Sequence, residues 1–323
     1  MENIKCLKIF LGSYEGKLYT TQLDLKTKEI TETYSFKSSD NPIKIITNSD
    51  NYIFTSGHDE IVHIYDISQK KEIGMFVTYS GSIFRIEIFK KFLFVSGDDH
   101  NLSIFRMSDF SPVHNLKGHK GSITDFIIHR TGRFCLSASK DHSVIIWNLM
   151  TGKPIIKYKF KEEKICQKLL FFKQQQYALL IFDTEIWLFD LFKDTENYEE
   201  YVLKKVKVSD KIFDAFVSGG TLFVYYSNAS LELFNEELES EKKISLEKPD
   251  KIRDLDIRTK MINTITGNKL SLLNVIYANN EIYIYDINKI IKAENNTQIK
   301  KFRSINLSMN DRITCVNSKI VNN

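Results

Sequence analysis

Gly118-His119, Ser122-Ile-Thr-Asp-Phe-Ile-Ile128, Arg130-Thr-Gly132, Arg133-Phe-Cys-Leu-Ser-Ala-Ser139, Asp141 and Val144-Ile-Ile-Trp-Asn148 follow one another without interruption. The apolar runs are short and rich in β-branched and aromatic residues, which fit pleated strands. Gly132 and Asp141 fall between them, at positions that suit tight turns. The stretch closes on an aromatic–polar–aliphatic triplet, Trp147-Asn148-Leu149. Working outward, related triplets begin at Leu23, Tyr65, Phe105, Phe189, Phe234 and Tyr285, and successive intervals are 42, 40, 42, 42, 45 and 51 residues. Six residues before the aromatic stand Asp59, Asp99, Asp141 and Asp183, then Asn228 and Asn279. Two registers in phase mark an internal repeat.

Residues 118–148 resemble a full WD repeat, whose period is about 40–45 residues with four strands per propeller blade. The resemblance predicts an all-β, seven-bladed WD-repeat β-propeller, with residues 1–323 as one domain. It also implies a buried hydrogen-bonded tetrad, which maps onto His119, Ser137, Asp141 and Trp147. A buried carboxylate and imidazole are tolerated only when paired. Other repeats keep parts of the pattern: Ser13 and Thr55 align with Ser137, but so do Val95 and Leu179. The chain starts inside a repeat, and Asp311-Arg-Ile-Thr-Cys-Val316 reads like an innermost strand. Blade one is therefore expected to combine about 7–37 with 311–318, closing the ring without a free edge.

The net charge of +4 is only mildly basic, below what a dedicated nucleic-acid domain shows. Cys6, Cys135, Cys166 and Cys315 form no C-x-x-C pair, so reduced thiols inside a cell are expected. Apolar runs such as Lys168-Leu-Leu-Phe-Phe172 are too short to span a bilayer. Met1–Cys6 lacks the basic-then-apolar pattern of a secretory leader.

No phosphate loop, G-x-S-x-G or H-E-x-x-H is present, so neither an enzyme nor a small-molecule cofactor is expected. His100 and His142 follow the repeat Asp and His58 precedes one; repetition accounts for them without a metal. Lysines in 157–161, 204–207 and 300–303 fall where outermost strands are expected, and lysine guards sheet edges there. The loops bearing the Gly-His and Asp turns form the candidate partner-binding rim: His58, Glu60, Tyr79, Asp98, His100, Lys120, Lys140 and His142.

A narrower resemblance rests on an ordered series of motifs. They are Thr55-Ser-Gly-His-Asp-Glu-Ile-Val-His-Ile-Tyr-Asp-Ile67, Lys70-Lys-Glu-Ile-Gly74, Ser80-Gly-Ser-Ile83, Ser96-Gly-Asp-Asp99 and Leu116-Lys-Gly-His-Lys-Gly121. Ile128-His-Arg-Thr-Gly-Arg133, Lys251-Ile-Arg-Asp254 and Arg312-Ile-Thr-Cys315 complete it. The series resembles the p21-activated-kinase-interacting-protein-like and maintenance-of-killer-like WD proteins. That resemblance implies a nucleolar factor in assembly of the large ribosomal subunit. Its partners would be assembly factors and ribosomal proteins, with pre-rRNA as a further contact. It would act as a monomer within a larger complex, without membrane or small-molecule substrate. The alternatives are an adaptor restraining a p21-activated kinase and a ubiquitin-ligase substrate adaptor.

Overall fold

A computed structural model describes residues 6–24, 27, 29–37, 40–57, 60–78, 81–193, 198–228, 230–247, 258–263, 271–276, 281–300, 303–306 and 311–321. The described strands form antiparallel meanders: 6–37, 45–77, 83–116, 123–159, 168–207, 212–246 and 258–306, termed the first to last sheets. Two compact units hold them, residues 1–86 with 246–323, and residues 87–245.

The all-β, WD-type architecture stands, but the expectation of a seven-bladed propeller is corrected: six sheets have the four-stranded form of a blade. Six sheets are four-stranded; the sixth in chain order takes an additional strand, Gln298–Ile299, and is five-stranded. A short helix, Ile287–Lys292, also interrupts the last sheet before its outermost strand, Arg303–Asn306. The triplet period carries no signal for either addition, because it marks only where the third strand of each sheet ends.

That triplet has a physical basis. Its first residue is buried in every sheet: Leu23, Tyr65, Phe105, Trp147, Phe189, Phe234 and Tyr285. In five sheets its polar residue ends the strand by an Asx turn. Asn148 Oδ1 accepts from the Met150 N–H (2.9 Å), and Asp66, Asp190, Asn235 and Asp286 accept in the same way from the residue two ahead. In six sheets the register with the outermost strand shifts right at the aromatic, for example between Ile146 and Trp147. Such a bulge bends the outer strand and adds twist.

Burial follows the layering. The third strand of the fourth sheet, Ser143–Asn148, is buried on both faces, whereas its neighbour Lys153–Lys159 is mostly exposed. Lys157 and Lys159, and Lys204, Lys205 and Lys207, therefore lie on outermost strands, whereas Lys161 falls beyond the strand end and 301–302 lie outside the described residues.

The first sheet joins distant parts of the chain. Ile313–Val321 runs antiparallel to Cys6–Ser13, pairing Leu11 with Val316 and Gly12 with Cys315. Gly12 is needed there, since a Cβ would stand 2.6 Å from Ile43 Cγ2 and 2.7 Å from Cys315 Sγ. Thr314 Oγ1 donates to Gly12 O (3.0 Å), and Lys17 pairs with Asp311 at 2.8 Å.

Candidate functional site

In the fourth sheet the four residues drawn from the repeat meet. Trp147 Nε1–H donates to Ser137 Oγ (2.7 Å), and Ser137 Oγ lies 2.8 Å from His119 Nε2. His119 Nδ1 lies 3.2 Å from Asp141 Oδ1. The indole already uses a Ser137 lone pair, so the hydroxyl donates to Nε2 and the imidazole proton sits on Nδ1, facing Asp141. Burial pushes His119 below the ordinary imidazole range, although Asp141 pulls the other way. The ring is therefore neutral and fully bonded.

Asp141 holds the turn as well as the ring. It accepts from Ser143 Oγ (2.5 Å) and the Lys120 N–H (2.9 Å). Burial alone would raise its carboxyl, but Ser143, Lys120 and His119 override that and hold it well below the usual carboxylate range. Lys157 reaches across from the outer strand, donating to Gly118 O (2.7 Å) and approaching Asp141 at 3.4 Å. At Gly118 a Cβ would stand 2.8 Å from Trp147 Cη2, so the glycine makes room for the indole.

The connectivity Ser137–His119–Asp141 is that of a nucleophile, base and orienting carboxylate. Its surroundings forbid that chemistry. Ser137 is 0% exposed and its Oγ lies against the indole N–H, so no substrate carbonyl reaches it. The arrangement serves to fix the sheet.

The turn residues divide. Asp99 accepts from the Asn101 N–H (3.3 Å), and Asn228 from the Ser230 N–H (2.9 Å). Asp183 is instead exposed, bonded to Gln167 and 3.5 Å from Lys211. His58, Asp59, Tyr79 and Asn279 lie outside the described residues. Glu60, His100 and His142, each next after the repeat Asp, take positive φ of 60°, 64° and 61°. Backbone geometry at that turn thus explains the recurrence of His at 100 and 142. Asp98, Lys120 and Lys140 are exposed on the same side, and Asp98 accepts from Ser122 Oγ at 2.7 Å, tying the third sheet to the fourth.

A second polar cluster escaped the repeat pattern. In the fifth sheet Glu185, 8% exposed, accepts from Trp187 Nε1 (2.9 Å) and Lys164 Nζ (2.7 Å). Lys205 lies 3.8 Å from the centre of the Trp187 ring. The signal was a tryptophan two residues after a glutamate inside an apolar strand, a pairing the WD pattern does not contain.

A model described as the WD domain, G-beta repeat, matches residues 110–148. The match places one WD repeat across residues 110–148, which contain the bonded tetrad, within an all-β chain of repeated antiparallel sheets. Among relatives, Protein MAK11 of Saccharomyces cerevisiae is 28% identical over 170 residues, covering 45% of this chain and 41% of that protein. The p21-activated protein kinase-interacting protein 1-like of Danio rerio is 23% identical over 150 residues, 46% of this chain and 41% of its own length. Its counterpart in Gallus gallus is 31% identical over 103 residues, 32% and 28% respectively. The chain thus spans less than half the length of these relatives. They are of the family that the motif series resembles.

Proposed function

We propose that this chain is a non-catalytic scaffold in assembly of the large ribosomal subunit precursor, acting in the nucleus and nucleolus. The similarity to MAK11 over 170 residues carries the reading, joined to the motif series in 55–133. The buried, self-satisfied tetrad supports a structural role for the chain's most conspicuous polar residues. Partners would be assembly factors and ribosomal proteins, with pre-rRNA as a further contact. They would meet the exposed loops of the rim, including Asp98, Lys120 and Lys140, because binding residues concentrate on loops held by a rigid scaffold.

Depletion of the protein followed by profiling of rRNA processing tests this. Accumulation of large-subunit precursors is expected, and unchanged precursors overturn the reading. Charge reversal at Asp98, Lys120 and Lys140 together is expected to reduce recovery of assembly factors by affinity purification.

A second reading draws on the printed names of the vertebrate relatives, which make those proteins kinase-interacting. In it the chain restrains a p21-activated kinase. Recovery of a kinase without ribosomal precursors in the same purification favours it.

A further inference from the structure

Within residues 87–150 the strand ends divide charge unequally. The rim end carries both signs: Asp98, Asp99, Lys117, Lys120, Lys140 and Asp141. At the other end lie the turns 89–92, 106–112, 129–134 and 148–153. There Lys90, Lys91, Arg130, Arg133 and Lys153 are all exposed, and none has an ion pair among the described residues. The acid in those turns, Asp109, is already held by Arg106 at 3.3 Å and by Ser111.

The same turns enclose a cavity of about 400 Å³ between the third and fourth sheets. Its walls are mainly apolar, with Phe89, Phe92, Val113, Leu149 and Met150, and Lys90 at the mouth. Met150 is 74% exposed and Phe92 36%, so both offer apolar surface to a partner. The cleft is built by fixed backbone. Gly132 has φ +70°, and a Cβ on it would stand 2.7 Å from Phe89 Cε1. Lys90 Nζ lies over the Phe89 ring, 5.1 Å from its centre.

We propose that this groove docks an acidic peptide segment of a protein partner, seating one large apolar side chain in the cleft. The unpaired cations take the flanking carboxylates, and Met150, a flexible and polarisable side chain, packs on the anchor. An apolar cleft of this size suits a side chain better than a phosphate backbone, which needs cations and no pocket. The site is at the end of the sheets away from the rim, and it stands whichever complex the chain enters.

Selection of a random peptide display library on the full chain tests the proposal. Enriched peptides are expected to combine an aromatic or large aliphatic residue with flanking Asp and Glu. Synthetic versions should bind at least tenfold more weakly to Met150→Glu and to the double variant Arg130→Glu/Arg133→Glu. Lys159→Glu, on the exposed outer strand, should bind like the parent. All these positions are exposed, and unfolding midpoints of the variants check that the fold is kept. No enrichment, enrichment of basic peptides, or binding indifferent to Met150→Glu overturns the proposal. Binding of polyuridylate that is lost in the double arginine variant but kept in Met150→Glu replaces the peptide with RNA.

Discussion

The fourth and fifth sheets occupy successive repeats, offset by 42 residues, yet are held together by different means. Where the fourth has Gly118 beside its tryptophan, the fifth has Phe160; where the fourth has His119, the fifth has Lys161. Ser137 is answered by Leu179 and Ser143 by Glu185. In the fourth sheet a small residue admits an indole and a chain of hydrogen bonds satisfies every polar atom around it. In the fifth, Phe160 and Phe182 pack on Trp187 at 5.5 and 4.7 Å between ring centres, and Lys161 turns outward to Glu199. One backbone plan thus accepts a polar or an aromatic solution, with the indole N–H paired in both.

The sharpest way to break this comparison is to remove the two indoles in turn. Trp147→Ala should cost about 3–5 kcal/mol, read from urea unfolding. The cavity has little to fill it, since Gly118 brings no side chain. Trp187→Ala should cost about 1 kcal/mol less, because its aromatic neighbours relax inward and the ring borders the groove near Lys205. Equal losses would show that the two sheets use their tryptophans alike.

Ser137→Ala comes next. It removes the acceptor of the indole N–H and the donor to His119 at once, at a cost of about 1–3 kcal/mol in the same assay. Leu179→Ala at the matching position measures only lost packing, so its cost should not depend on pH.

Acid separates the sheets further. Burial depresses His119, so the folded form binds its proton less readily than the unfolded chain. Its contribution is full above the ordinary histidine value of about 6.5 and is lost as pH falls below it. Asp141, also depressed, adds a second loss at lower pH, below the ordinary carboxylate value. Burial would raise Glu185, but Lys164 and Trp187 hold it low, so the fifth sheet weakens only below the ordinary glutamate range. Thermal unfolding between about pH 5 and 6.5 should therefore lose slope in His119→Gln and keep it in Glu185→Gln. His129, likewise depressed by burial, contributes with the same sign in both variants, so the difference isolates His119.

The smallest effect belongs to Lys205→Ala. Loss of a cation over the Trp187 ring should cost about 0.5–1 kcal/mol.

The contrast also explains what could be read from residues alone. The strand ends were legible because five of them are written twice, as a buried aromatic and as an Asx turn. The fourth sheet's network was legible because Gly118-His119 and Asp141 are separated by a fixed half-repeat. The Glu185 cluster was not, since its lysines arrive from a connector and an outer strand whose spacing the repeat does not constrain. The fifth strand of the sixth sheet is two residues long, below any periodic signal. The basic groove was hidden for another reason: its cations are scattered over three turns and converge only when antiparallel strands bring those turns to one end.

The pairing of Cys6–Ser13 with Ile313–Val321 bears on how the chain is made. Thr314 and Gly12, bonded in the finished protein, are 302 residues apart. At a synthesis rate of about 5–20 residues per second, strand 6–13 waits roughly 15–60 s for its neighbour. During that interval its unpaired inner edge of N–H and C=O groups is open to any passing strand, its own or another chain's. Pairing with Ile313–Val321 is what closes that edge.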